Sequence, residues 1–310
     1  GILEYRFFSK DFFLILNNLL LMTAALTIFV GTVYPMVLEI FSGERISVGT
    51  PFYTITVIPI IFLFSIFAPI AIFLPWGNLE IKDSYKKYIF AYLLAVCFSW
   101  IGFIYLNVNS FMSLAGMFIS FWIIFLSIYS YFSKSSYLST KSSLLGHIGL
   151  GLFIMGASIS ISSQEDFEDS IKIDSSINIA GYDIKFKGVK DESGPNYISS
   201  KGIFVINNGS ISSTLYPEKR FYTVERSVTT EAAIMTNYLS HIYIVLGEKV
   251  GDKKWIVRVW YKPFISLIWI GSLITALGGL FSLFNRKKLS KKIVSSIVLI
   301  IITVILPLTM

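Results

Sequence analysis

In this sequence of 310 residues the side chains able to ligate, titrate or hold an anion are few: two histidines, one cysteine and a short charged stretch. His147 stands in Leu144-Leu145-Gly146-His147-Ile148-Gly149, about one and a half turns inside an apolar run. An imidazole in lipid is costly without a partner, which makes an intramembrane histidine a candidate for function. Gly146, Gly149 and Gly151 strip side-chain bulk from the same run, so a flat ligand or a second helix could come close. Two readings stand: a histidine hydrogen-bonded to a neighbouring helix, or a ligand. Neutral imidazole is a good axial ligand for haem iron. A b-type haem held here takes its second axial ligand from another polypeptide, or has only one, because no second histidine lies in an apolar run.

His241 opens a predicted strand, Ser240-His241-Ile242-Tyr243, and reads as a surface strand histidine. Tyr216-Pro217-Glu218-Lys219-Arg220-Phe221-Tyr222 gathers charge and aromatic rings beside a proline, and reads as a turn. Lys219 and Arg220 could bind a propionate or another anion, or could simply join ordinary ion pairs with Glu218. Glu231, in Thr230-Glu231-Ala232-Ala233-Ile234, is a lone carboxylate in apolar company. Asn17 and Asn18 sit inside the first apolar run, where amides bond between helices. Cys97 lies in another such run and packs; with one cysteine there is no internal disulfide. Walker, GxSxG, HExxH, CxxC and CxxCH patterns are absent. Nucleotide-driven transport, hydrolysis and covalent haem carriage therefore lack support.

What positions these residues is a membrane. Hydrophobic residues make up 54% and charged ones 15% of the chain, against about 25% charged in soluble proteins. Six apolar runs reach spanning length, about 20 residues, and a seventh comes close. They are Phe12–Leu38, Phe52–Trp76, Tyr88–Asn107, Ser110–Phe132, Ser142–Ser163, Phe264–Phe284 and Ile293–Met310. Pro59 and Pro69 predict a kink in the second. With seven spans, twelve basic residues fall on one face (near residues 6–10, 82–87, 134–141 and 286–292), and Arg45 alone falls in the short loops of the other. The basic face is inside. The net charge of +7 is thus spent on topology rather than on nucleic acid. A transporter is disfavoured, since no acidic or basic side chain falls at mid-membrane depth.

The organisation that follows is a polytopic α-helical membrane protein of about seven helices with one small all-β domain inserted. Residues 1–163 carry helices one to five, 164–263 the β domain on the outer face, and 264–310 helices six and seven. Strands are expected at Tyr182–Val189, Ile203–Ile206, Ile211–Tyr216, Ile242–Leu246 and Trp255–Tyr261. Asn207-Asn208-Gly209 signals a hairpin, and Gly251-Asp252 a weaker one. A barrel or sandwich closes such a set without free edges. The chain begins at Gly1 with no signal-peptide pattern, as expected of a fragment, a processed product or one piece of a split protein. Its wealth of Ile, Phe, Asn, Lys, Ser and Tyr fits an A+T-rich coding genome such as an organelle's.

Several segments, in order along nearly the whole chain, resemble the cytochrome c haem-lyase family of the CcmF type. They are residues 14–21 (Leu-Ile-Leu-Asn-Asn-Leu-Leu-Leu), Gly31-Thr32-Val33-Tyr34-Pro35, residues 46–52 (Ile-Ser-Val-Gly-Thr-Pro-Phe) and Gly146-His147-Ile148-Gly149. Residues 217–222 and 230–234, already quoted, and 257–264 (Val-Arg-Val-Trp-Tyr-Lys-Pro-Phe) complete the set. The resemblance covers the family's C-terminal half. The family's tryptophan-rich haem-handling segment, its two flanking external histidines and one further intramembrane histidine have no counterpart here. Thr50 replaces a usual proline, and the family's residue at position 241 is usually acidic or polar.

The resemblance implies that His147 is a haem-iron ligand holding haem b in the membrane, and that Glu218, Lys219, Arg220, Glu231 and Arg258 are candidate haem or partner contacts. It implies a subunit that assists covalent attachment of haem to apocytochrome c, as in split mitochondrial versions, the enzyme being the assembly rather than this chain. The implied partners are the N-terminal half of the lyase, a haem chaperone and apocytochrome c. The implied place is the mitochondrial inner membrane, or a bacterial inner membrane, with the β domain facing the intermembrane space or periplasm. The rival expectation is a structural membrane subunit, a lyase remnant associated with respiratory-complex subunits and without lyase activity.

Overall fold

The computed structural model describes residues 9–43, 46–74, 85–106, 108, 110–132, 140–209, 211–251 and 253–285. The seventh apolar run, and most of the basic residues that set the predicted sidedness, lie outside the described residues. Five helices come first: α1 (Lys10–Ser42), α2 (Thr50–Phe73), α3 (Tyr85–Tyr105), α4 (Phe111–Phe132) and α5 (Lys141–Ser163). Ten strands follow among the described residues: β1 (Glu165–Lys172), β2 (Ser176–Ile179), β3 (Tyr182–Ser193), β4 (Tyr197–Asn207), β5 (Ser212–Leu215), β6 (Glu218–Tyr222), β7 (Ser227–Glu231), β8 (Ala233–Asn237), β9 (Ser240–Val250) and β10 (Lys254–Lys262); α6 (Ser266–Asn285) comes last. The chain divides into two compact units: 1–101, 114–154 and 270–310 form one, and 102–113 with 155–269 form the other.

The first unit turns its apolar side chains outward. All six helices are long and apolar enough to cross a membrane. On α1, Phe29, Ile40 and Phe41 stand 61%, 78% and 85% exposed, while Asn17 and Gly31 are buried. Apolar outside and small or polar inside is the distribution that lipid, not water, stabilises. Buried serines spend their hydroxyls on helix carbonyls, Ser65 on Ile61 and Ser127 on Ile123, both at 2.7 Å. Ser120 reaches instead from α4 to the Gly151 carbonyl of α5, also at 2.7 Å. The Ser9 hydroxyl caps α1 by accepting from the Phe12 N–H, and Gly43, at φ 70°, closes it. α2 runs as one helix through Pro59 and Pro69.

In the second unit the strands form two antiparallel sheets. One has the order β1-β10-β9-β8, and the other β2-β3-β4-β6-β7 with β5 paired to β4. Alternate residues of β3, β4, β9 and β10 point inward and are 0–1% exposed: Ile184, Phe186, Phe204, Ile206, Ile242, Ile244, Leu246, Val257 and Val259. Phe186 and Phe204 face each other across β3 and β4, their rings stacked at 4.8 Å. The five expected strands fall on β3, β4, β5, β9 and β10, and β4–β5 is the hairpin at Asn207-Asn208-Gly209. Five more strands were not expected: β1, β2 (Ser176–Ile179), β6 (Glu218–Tyr222), β7 (Ser227–Glu231) and β8 (Ala233–Asn237). β1 reads Glu-Asp-Phe-Glu-Asp-Ser-Ile-Lys and lacks an apolar alternation, and β7 is exposed throughout. The stretch read as a charged turn is β6, held by backbone pairing on both sides to β4 and β7.

Candidate functional site

His147 lies in α5, six residues after its first residue, on the same unit as α1, α2, α4 and the body of α6. The side of α5 that meets α6 is set by small residues. The Ser142 hydroxyl donates to the Gly278 carbonyl at 2.8 Å, and a Cβ on Gly149 would fall 2.4–2.6 Å from Thr275 and the Gly271 carbonyl. A Cβ on Gly278 would strike the Gly146 nitrogen at 2.6 Å. At about 100° per residue, His147 points roughly 140° away from this seam, on the face of Leu150, Gly151 and Ile154. Leu150 and Ile154 belong to the cluster of Phe64, Ala68, Ala91, Ile119, Ile123 and Leu126. The ring therefore faces the bundle of α2–α4, not α6.

The local helix fixes the tautomer. Imidazole Nδ1 is 2.7 Å from the Ser143 carbonyl oxygen and 3.2 Å from the Ser143 hydroxyl. A carbonyl only accepts, so Nδ1 carries the proton and donates; in the neutral ring Nε2 then keeps its lone pair. That is the arrangement a metal-ligating histidine needs, with one nitrogen anchored and the other available. The nearby glycines divide between the two roles foreseen for them: Gly149 and Gly151 admit neighbouring helices, whereas a Cβ on Gly146 meets nothing within 4 Å. The buried Lys10 ammonium, at the start of α1, is close enough to act electrostatically on the ring, so both sit toward the same end of the bundle.

The charged candidates form a different assembly, in the β unit. Glu218, Arg220 and Glu231 come together because register sets Glu218 opposite Glu231, and Arg220 projects from the same face two residues along β6. Arg220 Nε donates to Glu218 Oε2 at 2.8 Å, and its guanidinium lies 3.7 Å from Glu231 and 4.6 Å over the Tyr197 ring. Lys201 links Glu218 at 3.5 Å to Glu192 at 3.2 Å, and Lys190 adds a bond to Glu192 at 3.1 Å. The Lys190 and Lys201 hydrogen bonds hold the Glu192 carboxyl below the usual carboxylate range. Lys219 points to the other face and pairs with Glu248. Arg258 is in the other sheet, opposite Glu168 across β10 and β1, its Nε donating to that carboxylate at 2.7 Å. His241 sits half-buried in β9 with Nε2 3.1 Å from the Ser266 hydroxyl, and burial lowers its pKa. Glu192, Lys201 and Tyr197 were not among the residues expected, although the alternation of β3 and β4 could have placed them on the same face. Among the described residues no three His, Cys, Asp or Glu side chains converge to hold a metal ion.

Comparison with known proteins decides what these residues belong to. The family described as the CcmF C-terminal beta-sandwich matches residues 162–263. The cytochrome c-type biogenesis protein CcmF of Haemophilus influenzae is 34% identical over 296 residues, covering 90% of this chain and 45% of the relative. That of Pseudomonas fluorescens is 32% identical over 303 residues, at 91% and 45%. The chain carries a CcmF C-terminal beta-sandwich and is similar to CcmF proteins. It spans under half the length of the curated CcmF relatives it matches and fits their C-terminal half. A solved structure, Cytochrome c Heme Lyase CcmF, has the same fold over 89% of this chain and 46% of its own, with a TM-score of 0.67 at 15% identity. The matched CcmF sandwich contains Glu218, Lys219, Arg220, Glu231 and Arg258; His147 precedes it.

Proposed function

We propose that this chain is the C-terminal part of a CcmF-type cytochrome c haem-lyase assembly, and that His147 would hold a b-type haem in the membrane through Nε2. The observation that carries the reading is the Nδ1–H···O=C bond to Ser143 at 2.7 Å, which leaves the Nε2 lone pair available on a face turned into the bundle. When bound, such a haem supplies one-electron redox chemistry at its iron. The chain's own contribution is orientation and exclusion of water: Ser143 fixes the ring, and the cluster around Leu150 and Ile154 packs beyond it. His241, engaged by Ser266 at 3.1 Å in the β unit, would not serve as a second ligand to such a haem. Buried Asn17 Oδ1 and Trp122 Nε1 have no hydrogen-bond partner among the described residues, which suits a bundle completed by a further polypeptide.

In this reading the N-terminal half of the lyase, a haem chaperone and apocytochrome c are the partners. The β domain faces the periplasm or, in a mitochondrion, the intermembrane space. The charged network supports docking rather than haem binding, because Lys219, Arg220 and Arg258 are each committed to a carboxylate. That same commitment is what favours the rival, a structural subunit of a respiratory complex. Purification of the tagged chain from its native membrane separates the two. Recovery of a haem chaperone and an N-terminal lyase half is the expected result; recovery of a respiratory oxidoreductase without either overturns the proposal.

A further inference from the structure

We propose that the hollow where α3, α5 and α6 leave the membrane on the β-domain side binds an ammonium group, of the kind carried by an amine-bearing lipid headgroup. The hollow has a volume of about 350 Å³, within the range of small-ligand sites, and all of its lining lies in the β unit. Its wall is built by register: Glu165, the first residue of β1, is opposite Tyr261 on β10, so the carboxylate and the phenol ring stand side by side on one face. Glu165 Oε2 is fixed by the Ala180 N–H at 2.8 Å, delivered from a backbone at φ 48°. The Tyr261 hydroxyl is in turn held by Ser240 at 3.3 Å. Phe264, a third wall residue, has φ 55°, a conformation that a side chain adopts only when its surroundings impose it.

The chemistry of this lining is selective. A carboxylate beside aromatic faces attracts a cation and repels an anion, and among the described residues no lysine, arginine or histidine lines the hollow. The Gln164 amide adds a donor for the ester and phosphate oxygens next to such an amine. Depth points to a lipid. α5 ends at Ser163 and α6 begins at Ser266, so the hollow sits at headgroup level, with Tyr105 81% exposed at its mouth.

The test uses the full-length protein with its native partners in nanodiscs, washed stepwise with detergent and weighed by native mass spectrometry. Wild type should retain phosphatidylethanolamine about tenfold better than phosphatidylglycerol, as a charge-assisted contact predicts. Glu165→Gln should remove the preference, and Tyr105→Ala, a change at an exposed side chain that leaves the fold intact, should weaken it. Added ethanolamine separates the sources: no displacement assigns the lipid, displacement assigns a soluble amine, and either upholds the ammonium site. Equal retention of the two lipids by wild type, or an unchanged preference in both variants, overturns it.

Discussion

Each charged side chain of β6 finds its counter-charge inside the β domain, and the consequence can be measured on Arg220. Its guanidinium separates Glu218 from Glu231, two carboxylates that face each other across β6 and β7. Arg220→Ala should cost about 1 kcal/mol or somewhat more, because an ion pair is lost and like charges are left opposed. The β domain's thermal transition should fall by roughly 4–8 °C per kcal/mol, and Glu231→Gln in the same background should recover part of it. A melting point unchanged by Arg220→Ala contradicts the network. At this scale the sequence exposed His147, since an imidazole in an apolar run is conspicuous without any partner in view. It hid the ion network, whose members Glu192, Lys201 and Glu248 stand far from β6 in the chain and reach it only through strand register.

Among the elements, the helices were legible because a span needs only length and apolarity, both local properties. The seam between α5 and α6 was not, because glycines signal close approach without saying what approaches. The structure separates them: Gly149 has no room for a Cβ and Gly146 has ample room. Gly149→Leu should destabilise the solubilised protein by about 1–3 kcal/mol, the usual cost of overpacking, whereas Gly146→Ala should leave its melting point within experimental error. Equal effects of the two changes would contradict the seam. Half of the strands escaped detection for a related reason. β1, β6 and β8 are short or charged, and become strands only because β10, β4 and β9 offer them hydrogen bonds; β7 is added in turn by β6.

For the molecule as a whole, pH should act on the β domain through two groups with depressed pKa values. Glu192 is held down by Lys190 and Lys201, so its contribution is present above the ordinary carboxylate range and lost as pH falls through its folded pKa. His241 is depressed by burial, so the unfolded chain takes up its proton first, and stability declines as pH drops below about 6.5. Unfolding followed by intrinsic fluorescence should therefore show stability falling on acidification in two steps, of which His241→Gln removes the upper. A flat profile between pH 7 and 5 in wild type contradicts the His241 assignment. Membrane residence was written in bulk composition, and the inserted β domain in the loss of apolar runs after Ser163. The division of the chain into two units was not legible, since it depends on helix ends packing with the strands they adjoin.

The proposal that gives this chain its chemistry is that Nε2 of His147 ligates haem iron, and one spectrum tests it directly. The assembly purified with its native partners should show the reduced-minus-oxidised bands of a b-type haem. His147→Ala should lose most of that signal while keeping its melting point and its partners, Ser143→Ala should keep it because the shorter anchor is a backbone carbonyl, and imidazole added to His147→Gly should restore part of it. An unchanged spectrum in a folded His147→Ala assembly would contradict the account.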